Sequence, residues 1–383
     1  MTESIRVALV GCGVIGRNHA RVIGEHAAFT LVAAVDPVTE NAARLIAEHP
    51  SAVAYAELAE ALWEQDPDLV VICTPSGTHL DLARAAIEAG THVVIEKPLD
   101  VSVGRAAEFA ALAEQAAATG RMISVISQHR FDPAGVAVAR AAHDGRFGKL
   151  TSAVASVAWW RDQSYYDGGA WRGTWSLDGG GALMNQGVHT ADLLLWFLGR
   201  PVEVQATAGL LAHERVEVED TVAATVRFES GAIAVLLATT AAYPGLTTRI
   251  QVHGTEGSAV IDNDRLEYFH TRAGATTGGP GGAGSVTGGA LTGNQAEAEV
   301  GFGDTPDGPR RDDDFVLGHR RQYDDIARAV TTGAEPGVTV PDALRSLAFV
   351  RSVYVSAALG QPIAVADVLA GKYSDVHLDV RPA

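Results

Sequence analysis

Short apolar runs alternate with longer, alanine-rich amphipathic segments up to about residue 128. An apolar run without polar alternation is typical of a strand buried on both faces of a parallel sheet. The pattern predicts strands at Ile5–Val10, Thr30–Val35, Leu69–Cys73, His92–Ile95 and Met122–Ser127. Between them it predicts helices such as Asn41–Glu48, Leu80–Ala89 and Val103–Ala118. Strands that alternate with helices indicate an α/β fold with a doubly wound parallel sheet, and we assign residues 1–128 to this first domain.

The pattern changes after Asp132, where a predicted helix leads into longer strands separated by turn signals. These strands are predicted at Leu150–Trp160, Val202–Leu211, Thr221–Glu229, Ala232–Thr240, Thr248–His253 and Ser258–Ile261. Helices are predicted at Ala134–His143, Ala182–Leu198, Arg320–Thr331 and Asp342–Leu359. Residues 129–383 are therefore expected to form an α+β domain with an open, mostly antiparallel sheet, whose final helices can pack back on the first domain. The segment Gly274–Gly293 is rich in Gly, Thr and Ser, which is typical of a flexible loop or a disordered insertion.

A glycine-rich turn follows the first predicted strand directly. Gly11, Gly13 and Gly16 have G-x-G-x-x-G spacing, which serves a tight turn, the approach of backbone to a pyrophosphate, and close helix packing. The helix that begins there offers unpaired N–H groups to an anion. Asp36 ends the second strand, where a carboxylate can accept hydrogen bonds from an adenosine ribose and would repel a 2′-phosphate. The set predicts an NAD site, with NADP disfavoured; the alternative is a plain glycine turn and an aspartate that caps a helix.

Length and charge limit the class of protein further. A chain of 383 residues is too long for one ordinary core and suggests two domains. A net charge of −17 disfavours nucleic acid and anionic membranes as partners. The sequence has no apolar run of membrane-spanning length, so we expect a cytoplasmic protein. Cys12 and Cys73 are interpreted as small buried residues rather than as a disulfide, a metal pair or a catalytic thiol, and we find no metal-ligand spacing.

Lys97 lies in the tripeptide Glu96-Lys97-Pro98 directly after a buried strand. Desolvation there lowers the pKa of a lysine toward the range useful for proton transfer, and the proline can hold a cis bond that directs the side chain. A simple exit from strand to turn is the alternative. Thr74–His79 and Gln128–Arg130 follow two other strands, and ligands of such sheets bind at this edge.

A polar stripe marks the predicted helix Ala182–Leu198. Asn185, His189 and Asp192 fall on one side of an otherwise apolar helix, and buried polar groups without partners are costly. A stripe of this kind indicates a cavity, although a single buried histidine is often a satisfied core residue. His189 is the candidate general base because the ordinary pKa of imidazole lies nearest neutrality.

Aromatic residues and arginines cluster in one stretch of the second domain. The cluster comprises Trp159, Trp160, Arg161, Tyr165, Tyr166, Trp171, Arg172 and Trp175. Aromatic faces with polar groups among them suit sugar rings, and a core or subunit-interface cluster is the alternative.

Taken in order, these motifs resemble the glucose-fructose oxidoreductase / inositol dehydrogenase / MocA (Gfo/Idh/MocA) family over essentially the whole chain. The motifs are the glycine turn, Thr74-Pro75-x-x-x-His79, Glu96-Lys97-Pro98, Arg130-Phe131, Trp171-Arg172 and the glycine-rich helix with Gly187 and His189. The resemblance implies a Rossmann domain, a second domain whose open sheet serves in oligomerisation, and hydride transfer between nicotinamide and a secondary alcohol of a sugar or cyclitol. It also implies that Lys97 and His189 are catalytic. Asn185 departs from the aspartate that many dehydrogenases of the family carry, and an amide cannot take a proton.

The sequence therefore predicts an NAD-dependent dehydrogenase of a neutral sugar or cyclitol that forms a homo-oligomer, a dimer or tetramer. The expected catalytic residues are Lys97, His189 and Asn185. The expected cofactor contacts are Gly11, Cys12, Gly13, Val14, Ile15, Gly16, Asp36, Thr74, Pro75, His79, Glu96, Lys97, Gln128 and Arg172. The expected substrate contacts are Lys97, Arg130, Trp160, Tyr166, Asn185 and His189. Two alternatives stay open: a nucleotide-sugar dehydrogenase or ketoreductase in which an arginine such as Arg161 or Arg172 grips a diphosphate, and a non-catalytic, NAD-binding sugar sensor.

Overall fold

The computed structural model describes residues 4–272, 293–309, 314–376 and 379–380, and it contains two sheets. The first is a six-stranded parallel sheet in the order β3-β2-β1-β4-β5-β6. Its strands are β1 (Ile5–Val10), β2 (Phe29–Val35), β3 (Val53–Tyr55), β4 (Leu69–Ile72), β5 (His92–Ile95) and β6 (Ile123–Val125). Its helices are α1 (Val14–Glu25), α2 (Thr39–Ile46), α3 (Leu58–Gln65), α4 (His79–Glu88) and α5 (Val103–Ala118). The predicted doubly wound sheet is confirmed.

The position of β1 in the strand order determines which edge of this sheet can bind a ligand. This strand pairs with β2 on one side and with β4 on the other, so the strand order reverses at β1 and opens a crevice beyond the carboxyl ends of β1 and β4. The glycine turn and Thr74 lie at those two ends. All four residues of β4 are buried, as the apolar run predicted.

The second sheet has eight strands in the order β13-β12-β11-β7-β10-β9-β8-β14. These strands are β7 (Leu150–Ala158), β8 (Pro201–Gly209), β9 (Thr221–Phe228), β10 (Ile233–Thr239), β11 (Thr248–Gly254), β12 (Gly257–Asp262), β13 (Arg265–Thr271) and β14 (Ile363–Ala364). The pair β7–β10 is parallel and the remaining pairs are antiparallel, so the expected open, mostly antiparallel sheet is confirmed. Burial alternates along β9, which places one face of the sheet on the core.

The remaining helices cover the buried face of this sheet and join the two domains. They are α6 (Pro133–His143), α7 (Gln163–Asp167), α8 (Val188–Leu198), α9 (Ala296–Val300), α10 (Asp314–Thr332), α11 (Val340–Leu359) and α12 (Val365–Leu369). Helix α10 lies against α1, and α11 packs on α5, α8 and β8, so the final helices contact both domains. Apart from Gly293, the glycine-rich segment Gly274–Gly293 lies outside the described residues. Within the described part of the chain, none of the helices combines the length and apolar character that a membrane crossing requires.

The predicted helix Ala182–Leu198 consists of two parts. Residues Ala182–Gly187 form a π-helical segment, and α8 follows from Val188. Such π-helical insertions are rare and frequently occur at functional sites. A Cβ at Gly187 would lie 2.9 Å from the Cβ of Ala238, so a glycine is needed where this segment approaches β10.

Candidate active site

The glycine turn has the geometry of a pyrophosphate site. Gly11 has a φ of +93°, and a Cβ there would lie 2.6 Å from the carbonyl oxygen of Cys73. A Cβ at Gly16 would lie 1.9 Å from the carbonyl oxygen of Gly11, whereas a Cβ at Gly13 would meet nothing within 4 Å. Gly11 thus serves the turn and Gly16 the packing of α1, whereas Gly13 leaves an open approach to the first N–H groups of that helix. The residues present therefore fit the phosphates of a dinucleotide.

Asp36 lies beside this turn at the end of β2. Its carboxylate accepts hydrogen bonds of 2.9 Å from the backbone N–H of Cys12 and of 2.9 Å from that of Val38, and Asn41 donates to it at 3.3 Å. Asp36 therefore also stabilises the glycine turn, through the backbone N–H of Cys12. The same carboxylate borders the turn, where it would repel a 2′-phosphate.

The two cysteines behave as the sequence predicted. Both are buried and unpaired. Burial raises the pKa of Cys12 to about 12, and the nearby Asp36 carboxylate acts in the same direction. Burial also raises the pKa of Cys73 well above its ordinary value. Both thiols are protonated and unreactive at neutral pH.

Lys97 and His189 line one cavity, although they belong to different domains. The ammonium group of Lys97 donates a 3.1 Å hydrogen bond to the backbone carbonyl oxygen of Asn185 in the π-helical segment. The peptide bond between Lys97 and Pro98 is cis, as the sequence suggested. The fold therefore brings the first domain's lysine to the second domain's imidazole at the carboxyl edge of the parallel sheet.

The imidazole of His189 is neutral at physiological pH. Burial, together with the positive charges of Lys97 and His129, holds the pKa of His189 well below its ordinary value of 6.5. No hydrogen bond joins its ring to another side chain among the described residues, and its ring meets that of His129 edge to face at 5.0 Å. A neutral imidazole with an uncommitted nitrogen, facing a cavity, is able to accept a proton.

His129 is a part of this site that the sequence did not reveal. Its Nδ1 lies 2.9 Å from a carboxylate oxygen of Asp132 and 3.0 Å from one of Asp264, in the turn between β12 and β13. Burial lowers the pKa of His129, but the two carboxylates outweigh burial and raise it to about 10. His129 is thus an imidazolium next to His189. Asp264 is far from His129 in the chain, so no local spacing indicates the pair.

Asn185 is held by Asp178, a second residue that the sequence did not single out. The amide nitrogen of Asn185 donates to Asp178 Oδ1 at 2.8 Å, and the backbone N–H of Gly173 donates to Asp178 Oδ2 at 2.9 Å. Asp178 is 4% exposed. Burial raises the pKa of this carboxyl to about 6, against the effect of both hydrogen bonds and of the charges of Lys97 and Arg172.

Glu219 explains the glycines before the π-helical segment. Its carboxylate accepts hydrogen bonds from the backbone N–H groups of Gly181 and Leu183 and from the hydroxyl of Tyr354. A Cβ at Gly181 would lie 1.7 Å from the carbonyl oxygen of Glu219, so only glycine fits there. Burial raises the pKa of Glu219 to about 7. Glu219 thereby anchors the segment that carries Asn185 and leads to His189.

Three predicted substrate contacts make internal contacts in the structure, beginning with Arg130. This side chain is buried and binds both carboxylate oxygens of Asp192, at 2.7 and 2.6 Å, with Asp342 at 3.5 Å. Ser127 and Ser346 also donate to Asp192. Arg130 is therefore not available to a substrate, and the third member of the polar stripe is engaged in a buried ion pair.

Tyr166 and Trp160 also serve internal contacts. Tyr166 is buried, and its hydroxyl pairs with that of Thr240 at 2.8 Å. Trp160 donates from its indole N–H to Asp162, and its ring lies between those of His213 and Tyr243. Both rings pack the region behind the site rather than line the cavity of Lys97 and His189.

His79 and Glu96, predicted as cofactor contacts, hold the sheet edge together. Each ring nitrogen of His79 lies against a backbone carbonyl oxygen, that of Pro98 at 2.9 Å and that of Thr74 at 2.8 Å. The Glu96 carboxylate accepts from His19 at 2.9 Å and from the backbone N–H of Lys97 at 2.9 Å. The polar side-chain atoms of both residues are thus engaged within the protein, and their contact with the cofactor stays a prediction.

A cationic and aromatic cluster adjoins the π-helical segment. The guanidinium groups of Arg161 and Arg172 lie 5.2 and 4.6 Å from the centre of the Tyr165 ring, and Gln186 donates to the Tyr165 hydroxyl at 3.1 Å. The Nε atoms of both arginines and the Oε1 of Gln186 are buried without a hydrogen-bond partner among the described residues. Buried polar atoms of this kind usually have partners, so this cluster has the donors for a polar ligand.

Two groups of side chains with metal-binding atoms are assembled by the fold alone. They are His19, Glu96 and His319 in the first domain, and His129, Asp132 and Asp264 beside the candidate site. The members of the first group are far apart in the sequence, and in the second group Asp264 is far from the neighbouring pair His129 and Asp132, which is why no ligand spacing indicated these groups among the described residues.

Comparison with known proteins identifies the family. Residues 5–126 match the model of the oxidoreductase family with an NAD-binding Rossmann fold, and residues 136–260 match the GFO/IDH/MocA C-terminal domain. The chain is 31% identical to inositol 2-dehydrogenase of Rhizobium meliloti over 266 residues, which are 68% of this chain and 77% of that protein. It is 33% identical to inositol 2-dehydrogenase 2 of Paenarthrobacter aurescens over 269 residues, 68% of this chain and 76% of that one.

Solved structures agree in fold and in cofactor. The WlbA dehydrogenase of Bordetella pertussis, crystallised with NADH and UDP-GlcNAcA, is 29% identical, with a TM-score of 0.81 over 95% of this chain and 98% of that chain. NAD is the cofactor that the glycine turn and Asp36 predicted, and the chain is an NAD-binding oxidoreductase. The chain belongs to the Gfo/Idh/MocA family of NAD-binding oxidoreductases.

Proposed function

We propose that this chain oxidises a secondary hydroxyl of a neutral sugar or cyclitol to the ketone, with NAD as hydride acceptor. One observation carries the proposal: the ammonium group of Lys97 lies 3.1 Å from the backbone carbonyl oxygen of Asn185, and its positive charge acts on the imidazole of His189. The two inositol 2-dehydrogenases among its relatives support the substrate class.

In this mechanism the chain supplies a general base, His189, and a positive charge, Lys97. Bound NAD would lie against Gly13 with its ribose toward Asp36, and it supplies the hydride acceptor. The neutral imidazole of His189 takes the proton from the hydroxyl oxygen as the hydride leaves the carbon that bears this hydroxyl. The alcohol thus loses a proton and a hydride and becomes a ketone. The ammonium group of Lys97 donates a hydrogen bond to the reacting oxygen and stabilises its developing negative charge.

The test is a set of initial-rate measurements of NADH formation with wild-type protein, NAD and a panel of inositols and pyranoses. We expect turnover with at least one polyol, and a loss of about a thousandfold or more in kcat for Lys97→Ala and for His189→Ala. NAD affinity, measured by calorimetry, is expected to stay within a fewfold of the wild-type value in both variants. A wild-type rate in either variant contradicts the role given to that residue.

A second candidate is oxidation of a nucleotide sugar, favoured by the arginine cluster. The Nε atoms of Arg161 and Arg172 are buried without partners among the described residues, and a diphosphate or carboxylate would pair them. The WlbA structure contains UDP-GlcNAcA, a ligand with both groups. Competitive inhibition by UDP that Arg172→Met abolishes would favour this candidate, and turnover of a free polyol that UDP leaves unchanged would favour the first.

We also propose that the chain forms a homo-oligomer through the open sheet. Its solvent face carries Val154, Ile233 and Val235, which are 42%, 57% and 45% exposed, and Val154 is the direct neighbour of Val235 on the next strand. Grouped exposed apolar side chains of this kind mark interaction surfaces. Sedimentation at a single monomer mass would contradict it.

A further inference from the structure

The orientation of the Asn185 amide is decided by Asp178. An ionised carboxylate only accepts hydrogen bonds, so the amide group that faces Asp178 Oδ1 at 2.8 Å is the NH₂ donor. The amide oxygen of Asn185 therefore points the other way. Gly173 fixes the second carboxylate oxygen at 2.9 Å, so Asp178 itself has little freedom to rotate.

The place of Asp178 is costly for a carboxylate. It is 4% exposed, and within the described part of the chain it makes no ion pair with an arginine or lysine. Burying a charge without a direct counter-ion is unfavourable. A neutral asparagine would avoid that cost: its oxygen would accept from Gly173 and its NH₂ would donate to Asn185, with the amide of Asn185 turned round. A structural role alone does not account for a carboxylate here.

Asn185 connects this carboxylate to the predicted catalytic lysine. Its amide donates to Asp178, and its backbone carbonyl oxygen accepts from the ammonium group of Lys97 at 3.1 Å. His189 lies four residues further along the same segment. Asn185 thus carries two separate hydrogen bonds, one from its side chain to the carboxylate and one from the ammonium group to its backbone.

We propose that Asp178 is a positioning residue of the active site, which turns the amide oxygen of Asn185 toward the substrate as a hydrogen-bond acceptor and supplies a negative charge near Lys97. The inference rests on the proposed function, since it needs a polyol with a hydroxyl beside Asn185. Asp178 does not touch the reacting atoms and acts through Asn185.

The pH dependence follows from the groups around Asp178. Lys97, Arg172 and Tyr165 face it, and burial raises its pKa to about 6 against the charges of the first two. Below that pH the carboxyl gains a donor and no longer selects one amide orientation. Since the pKa of His189 is well below 6.5, we expect the acidic limb of kcat/KM near pH 6 to report Asp178. Glu219 is the other buried carboxyl near the segment that titrates in this range.

The experiment compares Asp178→Asn, Asn185→Asp and the exchanged pair D178N/N185D as NAD-bound enzymes. Asp178→Asn is expected to lower kcat about tenfold to a hundredfold, because a charge-assisted hydrogen bond is lost, and to remove the acidic limb near pH 6. The exchanged pair keeps the hydrogen bond with reversed polarity and an acceptor beside the substrate, so it is expected to recover most of that loss. Asn185→Asp alone sets two carboxylates against each other, and its acidic limb is expected at a higher pH than in the wild type.

Two controls separate this role from a purely structural one. Asp100→Asn changes another buried carboxyl that accepts from a backbone N–H, that of Ser102, and it is expected to leave the pH profile unchanged. Glu219→Gln is expected to keep the limb near pH 6, which excludes Glu219 as its source. Tm and NAD affinity of every variant are measured alongside.

The outcomes distinguish the two proposals. Wild-type kcat and an unchanged limb in Asp178→Asn would overturn the inference, and so would an exchanged pair that folds and binds NAD but is no faster than Asp178→Asn. If Asp178→Asn does not fold, the inference is overturned instead by an Asn185→Asp variant whose acidic limb of kcat/KM lies at the same pH as in the wild type. A wild-type enzyme that oxidises no polyol refutes the proposed function itself.

Discussion

The glycine turn offers a sharp test, because two of its glycines differ in what a methyl group would meet. A Cβ at Gly13 meets nothing within 4 Å, and its φ of −72° is open to alanine. A Cβ at Gly16 would lie 1.9 Å from the carbonyl oxygen of Gly11, which is backbone and cannot move aside cheaply. Gly13→Ala is therefore expected to fold normally and fail to bind NAD, whereas Gly16→Ala is expected to unfold more easily.

The magnitudes follow from these contacts. Without ligand, Gly13→Ala is expected to change the free energy of unfolding by less than about 0.5 kcal/mol, as for a substitution that touches no neighbour. Gly16→Ala forces the turn away from α1 and is expected to cost about 1–3 kcal/mol or more. In Gly13→Ala the methyl group occupies the approach of the pyrophosphate, so we expect NAD to bind at least about a hundredfold more weakly.

Thermal unfolding with and without NAD measures both effects in one assay. At about a hundred times Kd, a ligand stabilises the folded state by about 2.7 kcal/mol, which raises the Tm of wild type by a few degrees. Gly13→Ala is expected to match the wild-type Tm without NAD and to lose the increase with NAD. An NAD-induced increase like that of wild type in Gly13→Ala, or a ligand-free Tm as low as that of Gly16→Ala, would refute this reading of the turn.

Two further predictions concern buried charges near the site. His129→Gln removes a positive charge 5.0 Å from the ring of His189, so the pKa of His189 is expected to rise, and NMR titration of the imidazole checks it. A constant or lower pKa would contradict the charge assigned to His129. Arg130→Met leaves Asp192 buried and unpaired, with an expected loss of about 3–5 kcal/mol in the free energy of unfolding by denaturant titration. A loss below about 1 kcal/mol would argue against the pair.

The apolar pattern predicted the fold well where strands are buried and poorly at the edges of the sheets. Every predicted strand is present, with ends within two residues of those in the structure. The missed strands β3, β13 and β14 lie at sheet edges. β3 and β14 have only three and two residues, and β13 carries Arg265 and Glu267, so none combines the length and the apolar pattern by which the other strands were predicted.

Residues of the candidate site could be predicted only where a reactive side chain lies next to a local sequence pattern that predicts a strand or a helix. Lys97 follows a buried strand, and His189 lies on an apolar helix, so each is visible locally. Asp178 and Asp264 act on Asn185 and His129, respectively, through contacts that exist only after folding. The ion pair of Arg130 was not predicted for the same reason, because its partner Asp192 is distant in the chain.

The residues at strand ends that the sequence predicts as ligand contacts are of two kinds in this protein. Some can face a ligand, and others are buried and engaged in internal hydrogen bonds. Glu96 precedes Lys97, yet its carboxylate is 4% exposed and accepts from His19 of α1. Burial lowers the pKa of His19, so its neutral ring donates to Glu96 and accepts from the hydroxyl of Tyr323 on α10. The helix of the glycine turn, the strand of the lysine and a helix of the second domain are thus joined by groups that need not touch a ligand. Because this buried contact joins the elements that carry Lys97 and Gly13, Glu96 contributes to the geometry of the site as well as being a predicted cofactor contact.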